Sequence, residues 1–179
     1  WKGRNPFMKS VDIQVSNYNV RVATEDDIDT IISLLKIFTE STNNISLINA
    51  GSDISEYNQI INIRYKLFSN TEDFFIITDS NGRNVGLVSV NMLGDVRTKV
   101  CSIGIISCPK NSFSELLLEI CLQYKKICIK EVCKIKFLIE EDLAVMYNSL
   151  FSKAKFIEEA NLANETSSGR NLVIFSLFI

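Results

Sequence analysis

The sequence predicts an α/β (α+β) domain built on a mixed, mostly antiparallel central sheet of about seven strands with four helices. Three observations carry this prediction. Short runs that alternate apolar and polar residues indicate half-buried strands, and longer runs with apolar residues three and four positions apart indicate amphipathic helices. Three consecutive strands are joined by short turns, which predicts an antiparallel meander, whereas the next strand follows a whole helix and is predicted to lie parallel to the last strand of the meander. With 179 residues, 46% of them hydrophobic, the chain can bury one sizeable core.

The start of the domain is predicted at Tyr18. Residues 1–17 are polar and weakly patterned, and we interpret them as a lead-in or linker segment ahead of a single domain at residues 18–179. Because position 1 is Trp1 rather than Met, we interpret the chain as a piece of a larger protein, or as one that carries added residues at its start.

Two helices are predicted after the first strand. Residues 18–22 alternate as in a strand, and Thr24 with Asp27 three positions later is a capping signature for a helix start. The first helix has the apolar stripe Ile28, Ile31, Ile32, Leu35 and Phe38, and it ends in the polar residues 40–44. The second opens at residues 51–53, and its stripe, expected to face the core, is Ile54, Tyr57, Ile61, Tyr65 and Phe68.

The rest of the chain is predicted as a strand meander, a crossover helix and a closing group of elements. Asn81-Gly82 is a strong hairpin signal between strands at residues 73–79 and 85–92, and a turn at 93–95 precedes a third strand at 98–107. The crossover helix has the apolar stripe Leu116, Leu117, Ile120, Cys121, Tyr124 and Cys128. The closing elements are a strand at 134–139, parallel to 98–107, a helix at 142–152, and strands at 155–161 and 170–179 with a turn at 164–169.

Composition excludes several classes of function. The net charge is −2 with both signs interspersed, so no basic face for a nucleic acid is expected. No apolar run approaches the roughly 20 residues of a membrane span, and we expect a cytoplasmic protein without a membrane partner. The absence of histidine excludes Ser-His-Asp and Cys-His nucleophile pairs and His-ligated metals. The five cysteines form no CxxC pair, so we expect reduced, mostly buried thiols and no metal site.

The predicted order β-α-α-β-β-β-α-β-α-β-β resembles the GNAT acyltransferase fold, in which the fourth strand and the following helix cradle the pantetheine and pyrophosphate of acetyl-CoA. The segments FMKSVDIQV (7–15) and RVATEDDIDTIISLL (21–35), followed by Thr42-Asn43, are similar to FkbH-like proteins. In those, a haloacid-dehalogenase-like domain loads glyceryl units onto carrier proteins and a GNAT-like domain follows. Ser107-Cys108 stands where their fourth strand ends in Ser-Cys.

The resemblance implies a site for an acyl-pantetheine donor, either acetyl-CoA or the phosphopantetheine of an acyl carrier protein. The implied binding residues are Ile105, Ile106, Ser107, Cys108, Ser112, Phe113 and Ser114. The family's glycine-rich loop is missing, because residues 109–115 contain no glycine, and Ser112 with Glu115 has the pattern of a capping box. A helix start that satisfies its own donors and carries a carboxylate is a poor pyrophosphate site, so a carrier-borne donor fits better than CoA.

The resemblance also implies catalytic roles for Tyr147 as general acid and Glu140 as general base. The family's Tyr-x-x-x-Gly-Phe motif aligns with residues 151–156, which places Phe151 at the tyrosine position, so Tyr147 could act only after a four-residue insertion. A half-buried core tyrosine, and a solvated turn at residues 140–142, are the simpler interpretations. Cys108 is expected to be an inert thiol with an ordinary pKa, roughly 8.5, although it could also be an acyl-capturing nucleophile.

Two functions therefore stay open. The first is a GNAT-type acyltransferase that uses a pantetheine-borne acyl group. The second is a catalytically degenerate GNAT-like domain that docks an acyl carrier protein or an upstream catalytic domain, and a purely structural lobe is a third possibility. The acyltransferase hypothesis requires two neighbouring strands to part beside Cys108 and leave a slot for the pantetheine arm.

Overall fold

The structure is a computed structural model that describes residues 12–37, 42–52, 54–57, 59–69, 71–92, 99–128, 131–166 and 169–179. Its strands are β1 (Asp12–Val15), β2 (Tyr18–Val22), β3 (Asn44–Ile48), β4 (Glu72–Asp79), β5 (Asn84–Met92), β6 (Val100–Pro109), β7 (Lys134–Glu140), β8 (Ile157–Leu162) and β9 (Leu172–Phe178). Its α-helices are α1 (Ile28–Ile37), α2 (Ile54–Tyr57), α3 (Ile60–Ser69), α4 (Phe113–Ile127) and α5 (Glu141–Lys153). Short 3-10 turns at Glu25–Asp27 and Lys110–Ser112 lead into α1 and α4.

These nine strands form one sheet in the order β1-β2-β4-β5-β6-β7-β9-β8, and β3 pairs with β6 in addition. Every pairing is antiparallel except that of β6 with β7. The predicted mixed, mostly antiparallel sheet is confirmed, and so is the parallel pair on either side of the crossover helix α4. In the described part of the chain the sheet has nine strands rather than about seven.

The sheet separates two hydrophobic cores. On one face, α1, α2 and α3 pack against the inner strands in a cluster that includes Ile31, Tyr57, Ile63 and Phe74. On the other face, α4 and α5 form the larger cluster, which is centred on aromatic residues such as Phe151. Successive side chains of each inner strand point to opposite faces of the sheet and so pack into opposite cores. Helices cover both faces.

Local signals at the hairpin and the crossover helix are confirmed. Gly82 has the positive φ of 79° that the turn between β4 and β5 requires, and Asp79 Oδ1 accepts the backbone N–H groups of Asn81 and Arg83 at 2.9 Å. The predicted stripe of α4 is buried from Leu116 to Tyr124. The predicted turn at residues 93–95 lies outside the described residues.

Two strands were not predicted, and both depend on long-range pairing. Asp12–Val15, within the expected lead-in, forms the edge strand β1 against β2, so the sheet begins ahead of Tyr18. Asn44–Ile48 forms β3 against β6, where only the end of the first helix, at residues 40–44, had been predicted. The alternation of Asn44, Ile45, Ser46 and Leu47 was the available signal for β3, although so short a run is weak evidence.

The predicted second helix is wrong in both its continuity and its buried face. It is broken into α2 and α3, and the break changes which residues of the second piece point inward. Ile63 is fully buried, whereas Ile61, Tyr65 and Phe68 are 72%, 66% and 66% exposed. A single stripe across residues 54–68 could not describe two helical segments with different axes.

Candidate functional site

The candidate site is the place where β6 and β7 part. These parallel strands pair only through Val100–Lys134, Cys101–Ile135 and Ser102–Lys136. The opposite edge of β6 is occupied by β5, which pairs with it between Cys101 and Ser107. Beyond Ser102, therefore, the free edge of β6 faces the opening between the two parted strands.

Strand β3 occupies that edge. It pairs antiparallel with β6 from Asn44–Pro109 to Ile48–Ile105, and its apolar side chains Ile45 and Leu47 are each 4% exposed and belong to the core under α4 and α5. The polar side chains are also engaged, since Asn44 Nδ2 donates to the Val85 carbonyl at 2.8 Å and Ser46 Oγ lies 3.2 Å from Ser107 Oγ. The slot expected beside Cys108 is filled by the chain itself.

Asn49 closes the point where the strands diverge. Its backbone N–H donates to the Gly104 carbonyl of β6 at 2.8 Å, and the next residue, Ala50, donates to the Leu138 carbonyl of β7 at 2.9 Å. The Asn49 side chain, which is buried, donates to Ser102 Oγ at 2.9 Å and to the Ile103 carbonyl at 2.8 Å. Residues 44–50 thus bond to both strands, and the backbone groups that an extended ligand would need at these positions are already used.

The start of α4 is also engaged by the protein. The Lys110 N–H donates to the Asn43 carbonyl at 3.1 Å, which extends the contact between β3 and β6 to the helix entrance. The predicted capping box is wrong, because the Ser112 side chain makes no capping hydrogen bond. Glu115 instead accepts a hydrogen bond from Ser16 Oγ at 2.7 Å, since β1 lies beside α4.

The expected donor-binding residues are mostly internal. Ile105, Ile106, Ser107 and Cys108 are buried within β6, and Phe113 is buried against Phe151, with ring centroids 5.7 Å apart. Ser114 Oγ donates to the Leu150 carbonyl at 2.8 Å and so joins α4 to α5, while Ser112 is half-buried at the helix entrance. Their role in binding a donor stays a prediction, and the contacts described give each of the buried ones a structural role.

The two expected catalytic residues lie on different elements and have structural contacts. Tyr147 is half-buried on α5 and packs against the core. Glu140, at the end of β7, forms an ion pair with Arg170. Phe151, at the family's tyrosine position, is fully buried and stacks on Phe175 with ring centroids 4.6 Å apart. The catalytic roles of Tyr147 and Glu140 stay predictions.

Cys108 differs from the expectation in its pKa. Its thiol is fully buried, and burial raises its pKa far above the ordinary value, because a thiolate would have no water or cation to stabilise it. Cys101, Cys108 and Cys121 are buried, Cys128 is half-buried and Cys133 is exposed. Nothing in this environment activates Cys108 as a nucleophile.

A buried carboxylate cluster on the other face of the sheet was not predicted. Glu72 is 2% exposed and accepts hydrogen bonds from Tyr57 Oη at 2.8 Å, Ser89 Oγ at 2.5 Å and Lys66 Nζ at 2.7 Å. Burial and the Glu72 charge raise the pKa of Tyr57. With three donors on its two oxygens, Glu72 ties α2 and α3 to the sheet. No sequence spacing relates these residues, which come from separate elements.

A cavity of about 410 Å³ lies beside this cluster. Its lining is Asn62, Tyr65, Lys66, Thr71, Glu72 and Asn91. No group of three or more His, Cys, Asp or Glu side chains in the described part of the chain could hold a metal ion. Among the same residues, no helix is long and apolar enough to cross a membrane.

The chain has the GNAT acyltransferase fold. This fold is defined by the element order, by the mostly antiparallel sheet and by the parallel pair on either side of α4, whose strands part beyond Ser102. The chain is similar to the ribosomal-protein-S5-alanine acetyltransferase from Vibrio fischeri, with 12% identity and a TM-score of 0.66 over 94% of this chain and 96% of that chain. It is also similar to the spermidine N-acetyltransferase from Vibrio cholerae solved in complex with CoA and spermine, with 17% identity and a TM-score of 0.67 over 91% and 96% of the two chains. No protein-family model and no curated protein matches the sequence.

Proposed function

We propose that this chain is a GNAT-fold domain that takes no acyl-pantetheine donor into its sheet and instead docks a protein partner. The observation that carries the proposal is the pairing of β3 with Ile105–Pro109 of β6. That strand edge is where the resemblance places the pantetheine arm. Because β3 already bonds to it, a donor and β3 cannot occupy the edge together.

The cost of displacing β3 supports this proposal. Ile45 and Leu47 would each lose a buried position, which costs about 1.5–3 kcal/mol per side chain. Each broken backbone hydrogen bond adds about 0.5–1.5 kcal/mol. Displacement therefore costs at least about 5 kcal/mol, which weakens donor binding by more than about a thousandfold. A micromolar ligand would become a millimolar one.

The chemistry of the neighbouring side chains points the same way. Phe151 cannot protonate a leaving thiolate, burial suppresses ionisation of Cys108 by raising its pKa, and Glu140 is already paired with Arg170. General acid–base catalysis needs a titratable group within reach of the reacting atoms. The buried groups beside the filled cleft do not supply one.

The partner we propose is an acyl carrier protein, with an upstream haloacid-dehalogenase-like domain as the other possibility. The similarity of residues 7–15 and 21–35 to FkbH-like proteins supports both. Isothermal titration with apo- and holo-carrier protein separates surface docking from insertion of the arm. We expect equal affinities within about twofold, because docking does not use the phosphopantetheine. Binding of the holo form alone would support the acyltransferase, and binding of neither would exclude the carrier protein as partner.

Acetyl-CoA provides a second test. A ligand at a hundred times its dissociation constant stabilises the folded state by about 2.7 kcal/mol, so urea unfolding with about 1 mM acetyl-CoA would detect affinities near 10 µM. We expect no change for the natural sequence. Because Leu47→Asn lowers the cost of displacing β3, this variant should be stabilised by acetyl-CoA more than the natural sequence, whereas Ile13→Asn in β1, the matched control, should stay insensitive. No stabilisation of the Leu47 variant would mean that β3 is not what excludes the donor.

A further inference from the structure

The outer face of α3 carries apolar side chains that the described residues leave exposed. Ile61, Arg64, Tyr65 and Phe68 follow one another at helical spacing on this face, and we call them the α3 ridge. All four are exposed, and the three apolar members are at least 66% exposed. The opposite side of α3 supplies Ile63 to the core. An exposed apolar row of this kind on a helix marks an interaction surface.

A second row lies on α5, on the other face of the sheet. Asp142, Val145, Met146 and Ser149 share one face of this helix, and we call them the α5 ridge. Val145 is 77% exposed and Met146 is 66% exposed, while Asp142 and Ser149 are also exposed. The buried side of α5 is formed by Ala144 and Phe151. This helix also leaves an apolar row uncovered.

The two ridges are complementary in charge and in spacing. The α3 ridge carries one cation, Arg64, and the α5 ridge carries one anion, Asp142. Phe68 lies four residues after Arg64, and Met146 lies four residues after Asp142, so one parallel alignment of the two helices brings both pairs into contact. In that alignment the Met146 thioether contacts the Phe68 ring, which is a favourable contact. The pair of Arg64 and Asp142 then lies at the edge of the interface.

We infer that the α3 ridge binds the α5 ridge of a second copy of this chain. Because the two ridges lie on opposite faces of the sheet, each copy can use one ridge for each neighbour, and the contact is head-to-tail rather than two-fold symmetric. The exposed apolar side chains of the two ridges together offer on the order of 500 Å², which is well below the roughly 1,600 Å² that both partners of a standard interface bury together. The association is therefore weak and reversible, and it does not depend on whether the sheet binds a donor.

Sedimentation velocity on the full chain tests this inference. Between about 10 µM and 500 µM, the mean sedimentation coefficient should rise continuously and should not level off at a dimer. Phe68→Ser should weaken the association by more than about tenfold, as expected for a buried aromatic anchor. Arg64→Asp and Asp142→Arg should each weaken it by about three- to tenfold, because each places like charges together.

Mixing the two charge-reversed proteins gives the decisive result. Each variant alone brings like charges together at the contact between positions 64 and 142. In the mixture, the aspartate introduced by Arg64→Asp meets the arginine introduced by Asp142→Arg, and the natural pair of Arg64 with Asp142 forms at the second contact. Association should return to within about threefold of the natural level. Lys126→Asp, an exposed charge reversal on neither ridge, is the matched control and should have no effect.

Two results would overturn the inference. One is a natural protein that stays monomeric at 500 µM, which would leave the ridges to a different partner. The other is a mixture that associates no better than its components, which would mean that Arg64 and Asp142 do not meet. Circular dichroism of each variant checks that a loss of association is not a loss of folding, since all these side chains are exposed.

Discussion

Replacing Gly104 by alanine should destabilise the fold strongly. A Cβ atom at this position would lie 2.7 Å from both Ser89 Oγ and Tyr57 Oη and closer still to Glu72 Oε1. None of these atoms can withdraw without breaking a hydrogen bond of the buried Glu72 carboxylate. Overpacking costs about 1–3 kcal/mol and disturbing a buried charged hydrogen bond costs about 1–3 kcal/mol, so we expect a loss of about 4 kcal/mol in the free energy of unfolding.

Urea unfolding followed by circular dichroism measures this loss. Gly51→Ala is the matched control, because its Cβ would meet only Asn49 Oδ1, at an ordinary 3.5 Å, and its effect should stay within about 0.5 kcal/mol. Tyr57→Phe removes one of the clashing oxygens, so the double variant with Gly104→Ala should lose less than the sum of the single changes. A cost below 1 kcal/mol for Gly104→Ala, or strict additivity, would contradict the proposed packing of the cluster.

Three further outcomes are expected. Burial raises the pKa of Asp73 to about 6 from 3.8, so its folded form binds more protons than its unfolded form between these values. The free energy of unfolding should therefore fall by up to about 3 kcal/mol as pH rises through this window, and Asp73→Asn should remove that fall in difference curves against the natural protein. Asn49→Ala should cost about 2 kcal/mol in urea unfolding, because Ser102 Oγ and the Ile103 carbonyl lose a donor; a loss under 0.5 kcal/mol would argue that Asn49 does not hold the point where β6 and β7 diverge. A thiol reagent should modify exposed Cys133 quickly in the native protein and Cys108 only after unfolding, and equal rates would show that Cys108 is accessible.

The part of the fold that local patterns specify could be predicted. The hairpin at Asn81-Gly82 depends on a backbone conformation that glycine adopts without strain, and α4 depends on an apolar stripe with helical spacing. The parallel β6–β7 pair followed from the length of the connection between them. Each of these features is encoded in one continuous segment of the chain, so the class of fold could be predicted from the sequence.

The content of the candidate site depended on contacts between distant segments. Asn44–Ile48 became a strand because the free edge of β6, some 60 residues later in the chain, offered it hydrogen-bond partners. Glu72 became a buried anchor because Tyr57, Lys66 and Ser89 converge on it from three other elements. The sequence alone determined that the chain would form a GNAT-like sheet with a glycine-free helix start. Only the tertiary structure decided that the opening in this sheet is filled, because backbone pairing is set by which edge remains free and not by the composition of the strand that fills it.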